Sequence, residues 1–239
     1  MNVSGSLQHA LIRRAARRRF AALRVRGLRG QGGLGSPLLL CPNHTNWWDG
    51  FVALCLMDEL PGRRFAVAQE ERQLERYPWF RAAGAIGIDP RTPGALRRSF
   101  SALISFLEEP GAGLFYFPEG VMGLQGGAPP KLRRGLGELA RRTRPAVVPM
   151  AFHYGFREGS RPEVWVLAGT ALRGSGAPLV SAVEKAMAGL IKQLHHDWHS
   201  LGGTARYRAL WSGRSIHENW WARLPGRRHG GSGRKERDS

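Results

Sequence analysis

Cysteine is almost missing from this chain. Two residues in 239, Cys41 and Cys55, cannot build a disulfide framework. They fit a reducing compartment and read as core side chains. Long apolar runs are missing as well: none approaches the ~18 residues needed to cross a bilayer. The basic N-terminus has no apolar segment behind it, so it does not read as a secretory signal. No internal repeat is visible. His195, His196 and His199 lie close together but lack cysteine partners, and no metal site is expected there. Acidic residues are scarce, 18 against 36 basic ones, which leaves a net charge of +18 carried almost wholly by arginine. Such a balance attracts polyanions, either nucleic acid or an anionic membrane surface. No helix-turn-helix, zinc-finger or RNA-binding signature accompanies the charge, so no nucleic-acid partner is expected. The arginine excess also fits a biased genomic base composition.

What is present is enough for one sizeable α/β domain with its own core. Residues 1–34 read as a basic N-terminal helix and a glycine-rich lead. The helical stretch runs from Leu7 to Leu28, with seven arginines between Arg13 and Arg26. At 100° per residue, Leu7, Leu11, Ala15 and Ala22 share one face, while Ile12, Ala16, Phe20 and Leu23 share a neighbouring one. Arg18 and Arg19 intrude on the apolar arc. Two readings fit: a helix lying at a lipid interface with snorkelling arginines, or a helix docked on the domain. Residues 35–205 form the main domain. Residues 206–239 read as a basic, aromatic-containing tail, disordered from residue 226 on.

Within the main domain the chain turns on one stretch, Asn43-His44-Thr45-Asn46-Trp47-Trp48-Asp49-Gly50. Pro37 to Pro42 before it reads as a buried strand, and Phe51 to Met57 after it as the start of a helix. Loops at such junctions are held by two rigid elements and often carry chemistry. If the loop enters the first helical turn, His44 and Asp49 meet. The carboxylate then holds one ring nitrogen and leaves the other to take a proton from an alcohol. No serine or cysteine stands beside the pair as a nucleophile, which favours direct transfer to a bound hydroxyl. A second strand end carries a carboxylate and a glycine: Leu114 to Phe117 runs into Pro118-Glu119-Gly120.

Together these stretches resemble the glycerolipid acyltransferases, the family that includes lysophosphatidic acid acyltransferase. The family's first block, Asn-His-x-x-x-x-Asp, is matched by Asn43, His44 and Asp49. Its Phe-Pro-Glu-Gly block is matched by Phe117, Pro118, Glu119 and Gly120. The resemblance covers roughly residues 36–170. It implies His44 as general base, Asp49 as the group that orients it, and Glu119 and Gly120 as parts of an acceptor pocket. Gly84 to Arg91 resembles a further block that ends in arginine, with Pro90 inserted, which makes Arg91 a candidate anion ligand. Ala146 to Phe152 resembles a fourth, an apolar strand around Pro149. One departure is clear. Family members with phosphate acceptors commonly follow Glu-Gly with Thr-Arg-Ser, whereas this chain has Val121, Met122 and Gly123. Lys131, Arg133 and Arg134 follow shortly after as possible substitutes, and Lys131 is carried forward as a candidate acceptor ligand.

The remaining elements expected are strands at Arg64–Ala68 and Glu163–Leu167, and helices at Thr92–Glu109, Arg134–Arg142 and Leu179–His199. Gln69 to Ala83 reads as helical or irregular, broken near Pro78. The expected fold is a single α/β domain, a twisted and mostly parallel sheet flanked by helices, with the site at the strand C-termini. The implied function is transfer of a fatty acyl group from acyl-CoA or acyl carrier protein to a lipid hydroxyl, with no bound cofactor. The expected place is the cytoplasmic face of a membrane, held peripherally without a span. Three other readings stay open. One is the same chemistry on a non-phosphate lipid alcohol or glycosylated lipid. Another is a basic nucleic-acid-binding module. The third is an inactive lipid-binding relative, which intact His44 and Asp49 argue against.

Overall fold

Short apolar strands alternating with helices of one apolar face can bury both sides of a sheet only by sandwiching it. The chain does this in a computed structural model that describes residues 3–31, 33–35, 37–126, 130–157 and 159–213. In chain order the strands are β1 (Ala22–Arg26), β2 (Leu38–Pro42), β3 (Arg64–Glu70), β4 (Ala85–Ile88), β5 (Ala112–Phe115), β6 (Ala146–Gly155), β7 (Glu163–Ala168) and β8 (Arg208–Ser212). They form one sheet in the order β4-β3-β5-β2-β6-β7-β1-β8. The block from β4 to β6 is parallel throughout. Antiparallel pairing enters at β6/β7 and at β1/β8, while β1 and β7 are parallel to each other.

The helices are α1 (Val3–Arg19), α2 (Asp49–Leu56), α3 (Glu71–Arg76), α4 (Trp79–Ala82), α5 (Pro93–Leu107), α6 (Gly135–Thr143) and α7 (Gly176–His199). Strand β2 shows how the sheet sorts them. Leu38 and Leu40 join a core beneath α1 and α2, while Leu39 and Cys41 join a second core beneath α5, α6 and α7. That period-two alternation is the pleat itself. Helix α5 starts where the sequence says it should: Thr92 caps it by accepting from the Ala95 amide, and Pro93 fills the first turn.

Two segments differ from the sequence reading. The helix expected over Leu7–Leu28 stops at Arg19, and Ala22 to Arg26 form β1 inside the sheet. Arginine, alanine and leucine keep helix-compatible composition past Arg19, but pairing with β7 and β8 on either side overrides that preference. Gly27, expected to end the helix, ends β1 instead with φ +79°. Of the two faces read on α1, Ile12, Ala16 and Phe20 are the buried one, and Leu7 and Leu11 are exposed. Likewise Arg208 to Ser212, placed in the tail, form edge strand β8, with Trp211 packed against the core. The sheet thus takes strands from both sides of residues 35–205. The disorder expected from residue 226 on lies outside the described residues. Among those residues no helix is long and apolar enough to cross a membrane.

Candidate active site

Strand β2 is apolar and wholly buried, and Pro42 ends it. The chain then crosses the carboxyl end of the sheet before α2 begins at Asp49. Asn43 is the first anchor. Its side chain accepts from the Phe152 amide at 2.6 Å and donates to the Phe152 carbonyl at 3.2 Å, which fixes the loop to neighbouring β6. His44 follows, and its Nδ1 lies 2.8 Å from Asp49 Oδ2. A carboxylate accepts only, so Nδ1 carries the proton and Nε2 keeps its lone pair. The His44 side chain is 28% exposed and that of Asp49 is 0% exposed.

A buried carboxylate is tolerable only when its oxygens are satisfied. Asp49 Oδ2 also accepts from the backbone amides of Thr45 at 2.8 Å and Asn46 at 2.9 Å. Oδ1 accepts from the Tyr154 hydroxyl at 2.6 Å. Its position in the first turn of α2 adds a favourable helix-dipole contribution. The loop therefore folds around the carboxylate. Asn46 reinforces the turn by accepting from the Trp48 amide at 3.0 Å.

The second motif closes on the first. Glu119 Oε1 accepts from the His44 amide at 2.7 Å, and the Gly123 amide donates to the His44 carbonyl at 2.8 Å. His44 is thus clamped through its backbone by the connection after β5 and through its ring by Asp49. Burial raises the Glu119 carboxyl above the usual carboxylate range, opposed by the hydrogen bond from the His44 amide. Gly120 has φ +65°, and a Cβ there would meet Arg133 Cδ at 2.7 Å. Arg133 Nε donates to the Glu119 carbonyl at 3.1 Å across this close approach. Gln125 bonds both backbone groups of Tyr154, at 2.7 and 2.8 Å, and so braces the residue that holds Asp49.

Thr45 and Glu119 also line a cleft of about 540 Å³ beside His44. Leu124 and, from α7, Ile191, Lys192 and His195 form its other side. The Thr45 hydroxyl is buried and has no protein partner. A larger groove, about 1440 Å³, runs between α1 and the amino ends of β3 and β4, away from the His44–Asp49 pair, with Arg13, Arg14, Arg17 and Arg18 along it. Among the described residues no group of three or more His, Cys, Asp or Glu side chains is placed to share a metal ion. His195 instead packs against His153, with ring centres 4.8 Å apart. Cys41 and Cys55 are buried free thiols, and burial pushes both well above the ordinary thiol range.

Of the residues singled out from sequence, His44, Asp49, Glu119 and Gly120 come together in one constellation. Of these only Glu119 itself lines the cleft, and no hydrogen bond or ion pair joins Arg91 or Lys131 to the constellation among the described residues. The Arg91 guanidinium lies 2.8 Å from both Asp89 and Glu75 at the edge strand. Lys131 is exposed, just before the segment that carries Arg133. Tyr154 and Gln125 were missed. Tyr154 lies 105 positions from Asp49, at the end of a strand whose apolar run shows only burial. Its one signal was position, at the carboxyl end of a strand next to β2. Lys192 was read only as part of a helix, and His195 only as one of three histidines without metal-site partners.

The Acyltransferase family model matches residues 16–153 of the chain. No curated protein matches it. Among solved structures, the chain is similar to the crystal structure of the 1-acyl-sn-glycerophosphate (LPA) acyltransferase, PlsC, from Thermotoga maritima. The TM-score is 0.56 at 18% identity, over 80% of this chain and 79% of that one. At that identity the likeness concerns the fold.

Proposed function

The chain belongs to the acyltransferase family, and from that premise we propose that it moves a fatty acyl group from a thioester, acyl-CoA or acyl carrier protein, to the hydroxyl of a lipid acceptor. The observation that carries this reading is the His44 Nδ1–Asp49 contact at 2.8 Å, with Asp49 fully buried and held by three further donors. His44 Nε2 takes the proton of the acceptor hydroxyl as its oxygen attacks the thioester carbonyl. Asp49 supports the imidazolium that forms. The tetrahedral intermediate collapses, the C–S bond breaks, and the imidazolium returns the proton to the leaving thiolate. We expect no acyl-enzyme, since no serine or cysteine stands beside His44 and Asp49 in the sequence and both cysteines are buried. The reaction takes place at an anionic membrane surface that the +18 chain attracts without spanning it.

The test supplies purified protein with labelled acyl thioester and a membrane lipid extract, then identifies the lipids that gain label by mass spectrometry. His44→Ala should abolish incorporation while circular dichroism stays unchanged. Full incorporation by a folded His44→Ala protein sinks the mechanism.

A neutral acceptor is a second reading, favoured by Val121, Met122 and Gly123 after Gly120 and by the engagement of Arg91 with two carboxylates. An anionic acceptor would instead draw on Lys192 and His195 in the cleft. Competition between 1-acylglycerol-3-phosphate and a neutral lipid alcohol of equal chain length separates the two. The comparison is repeated with Arg91→Ala and Lys192→Ala. Loss of a phosphate preference in one variant names the ligand, and absence of preference in the parent supports the neutral acceptor.

A further inference from the structure

Three connections leave the carboxyl ends of the adjacent strands β5, β2 and β6, and each carries large apolar side chains in solvent. After β5 stand Val121 at 58%, Met122 at 53% and Leu124 at 86% exposure; after β2, Trp47 at 46%; after β6, Phe156 at 67%. Single exposed apolar residues are ordinary, but a set gathered at one end of the fold marks a contact surface. All three connections leave the same end of the sheet as the His44 loop, and Leu124 lines the cleft.

The exposure is built in rather than the result of a slack loop. Gly123, between Met122 and Leu124, is held by its amide to the His44 carbonyl at 2.8 Å. Gln125, next along, is held by its side chain to both backbone groups of Tyr154. Gly120 is fixed by its left-handed turn against Arg133. Val121, Met122 and Leu124 therefore project from a connection pinned at three points to the residues that position the catalytic pair. They cannot fold back into the core without releasing His44.

We propose that this rim is the surface through which the protein docks on a lipid bilayer, with Val121, Met122 and Phe156 entering the interface and the mouth of the site facing the lipid. This inference rests on the acyltransferase reading and adds the orientation. Charge chooses lipid over a second protein surface. Lys131 and Arg133 follow in the same connection, Lys192 lines the cleft, and the chain carries a net charge of +18, so the apolar tips belong to a basic protein. Apolar side chains together with basic ones match a bilayer, with acyl chains below and anionic headgroups above. An acceptor then reaches His44 by sliding up between the tips, without crossing water. The exposed leucines of α1, Leu7 and Leu11, are the competing anchor.

The experiment compares three full-length proteins: the parent, Val121→Ser/Met122→Ser/Phe156→Ser, and Leu7→Ser/Leu11→Ser. Each is sedimented with phosphatidylcholine–phosphatidylglycerol vesicles. The rim variant should lose about tenfold or more in vesicle partitioning, since each tip forfeits part of a buried side chain's transfer. The α1 variant should lose much less. The rim variant should lose far more turnover of acceptor presented in vesicles than of a short-chain acceptor dissolved as monomers, and Phe156→Ser alone, outside the acceptor pocket, should keep the monomeric turnover. A second measurement does not depend on a triple variant folding. Because Cys41 and Cys55 are buried, Met122→Cys can be labelled selectively with a polarity-sensitive dye, whose emission should shift to the blue on adding vesicles. Parental partitioning by the rim variant, an unshifted dye, or loss confined to the α1 variant overturns the proposal. So does a rim variant that differs from the parent only in self-association, which would assign the rim to a second copy. If the parent binds vesicles through the rim yet transfers no acyl group, the docking stands and the enzymatic reading fails.

Discussion

In the proposed mechanism the chemistry turns on Asp49, which is the hub of four hydrogen bonds. Its donors differ in kind: an imidazole, two backbone amides and a phenol. Asp49→Asn keeps the shape but replaces an acceptor oxygen with an amide donor, which His44 Nδ1 cannot face while carrying its proton. The ring is driven to the wrong tautomer and Nε2 loses its lone pair. We expect kcat to fall by roughly 10²–10⁴, the worth of a general base. Tyr154→Phe removes one donor and leaves Oδ1 unpaired, at about 1–3 kcal/mol of stability. Its kcat should fall far less than that of Asp49→Asn, because the His44–Asp49 bond survives. Steady-state kinetics beside urea titrations of both variants check this ordering; equal losses of kcat would show that Tyr154 acts in the reaction itself. The spacing of His44 and Asp49 was legible because five residues suffice to bring them together. Tyr154 was not legible, since nothing local marks which residue of a distant strand end will reach a carboxylate. Glu119 was legible as a site residue through the family resemblance, but its hydrogen bond to the His44 amide is visible only in the fold.

At the scale of elements, composition served well wherever packing and local preference agree. Helix α5, with a threonine cap, a proline start and an apolar face, is the plain case. It failed at β1, where Ala-Leu-Arg-Val-Arg is good helix material but pairs on both edges. One glycine reports how closely that strand is held. Gly27 ends β1 with φ +79°, and a Cβ there would lie 2.4 Å from the Ala168 carbonyl oxygen at the end of β7. Beyond it, Arg26 reaches the buried Asp197 of α7 at 3.1 Å, and Asp197 also takes Arg206 and Tyr207. Gly27→Ala should therefore destabilise the protein by about 1–3 kcal/mol, from left-handed strain and a backbone clash that a flexible side chain cannot relieve. Chemical denaturation measures this. A neutral result would mean that β1 sits loosely on β7. Activity per folded molecule should be unchanged, since β1 is separated from β2 by β7 and β6.

Over the whole molecule the excess of positive charge suggests a chain that only loses stability as acid adds more. One buried and one half-buried group make the dependence on pH more specific. His153, 8% exposed among Trp198, His195 and the helix that carries them, is held down to about 4 from the ordinary 6.5. Burial is the main cause, and the charges of His195 and His199 add to it. Above pH 6.5 His153 is neutral in both folded and unfolded chains and contributes nothing. As pH falls from there, the unfolded chain takes up a proton that the folded chain refuses, and stability drops. By about pH 4 the loss approaches ~3 kcal/mol. Glu119 works with the opposite sign. Its raised folded value means that just above the ordinary glutamate range the folded chain keeps a proton the unfolded chain has lost, so its contribution weakens as pH rises. The two oppose one another in mildly acidic solution, and the parent's pH profile alone cannot separate them. His153→Phe removes one side of the opposition and fills the same apolar space. Urea midpoints at about pH 7 and about pH 5 should differ clearly for the parent and much less for His153→Phe. An equally steep loss in the variant would assign the acid sensitivity to other groups and leave His153 a neutral filler of the core.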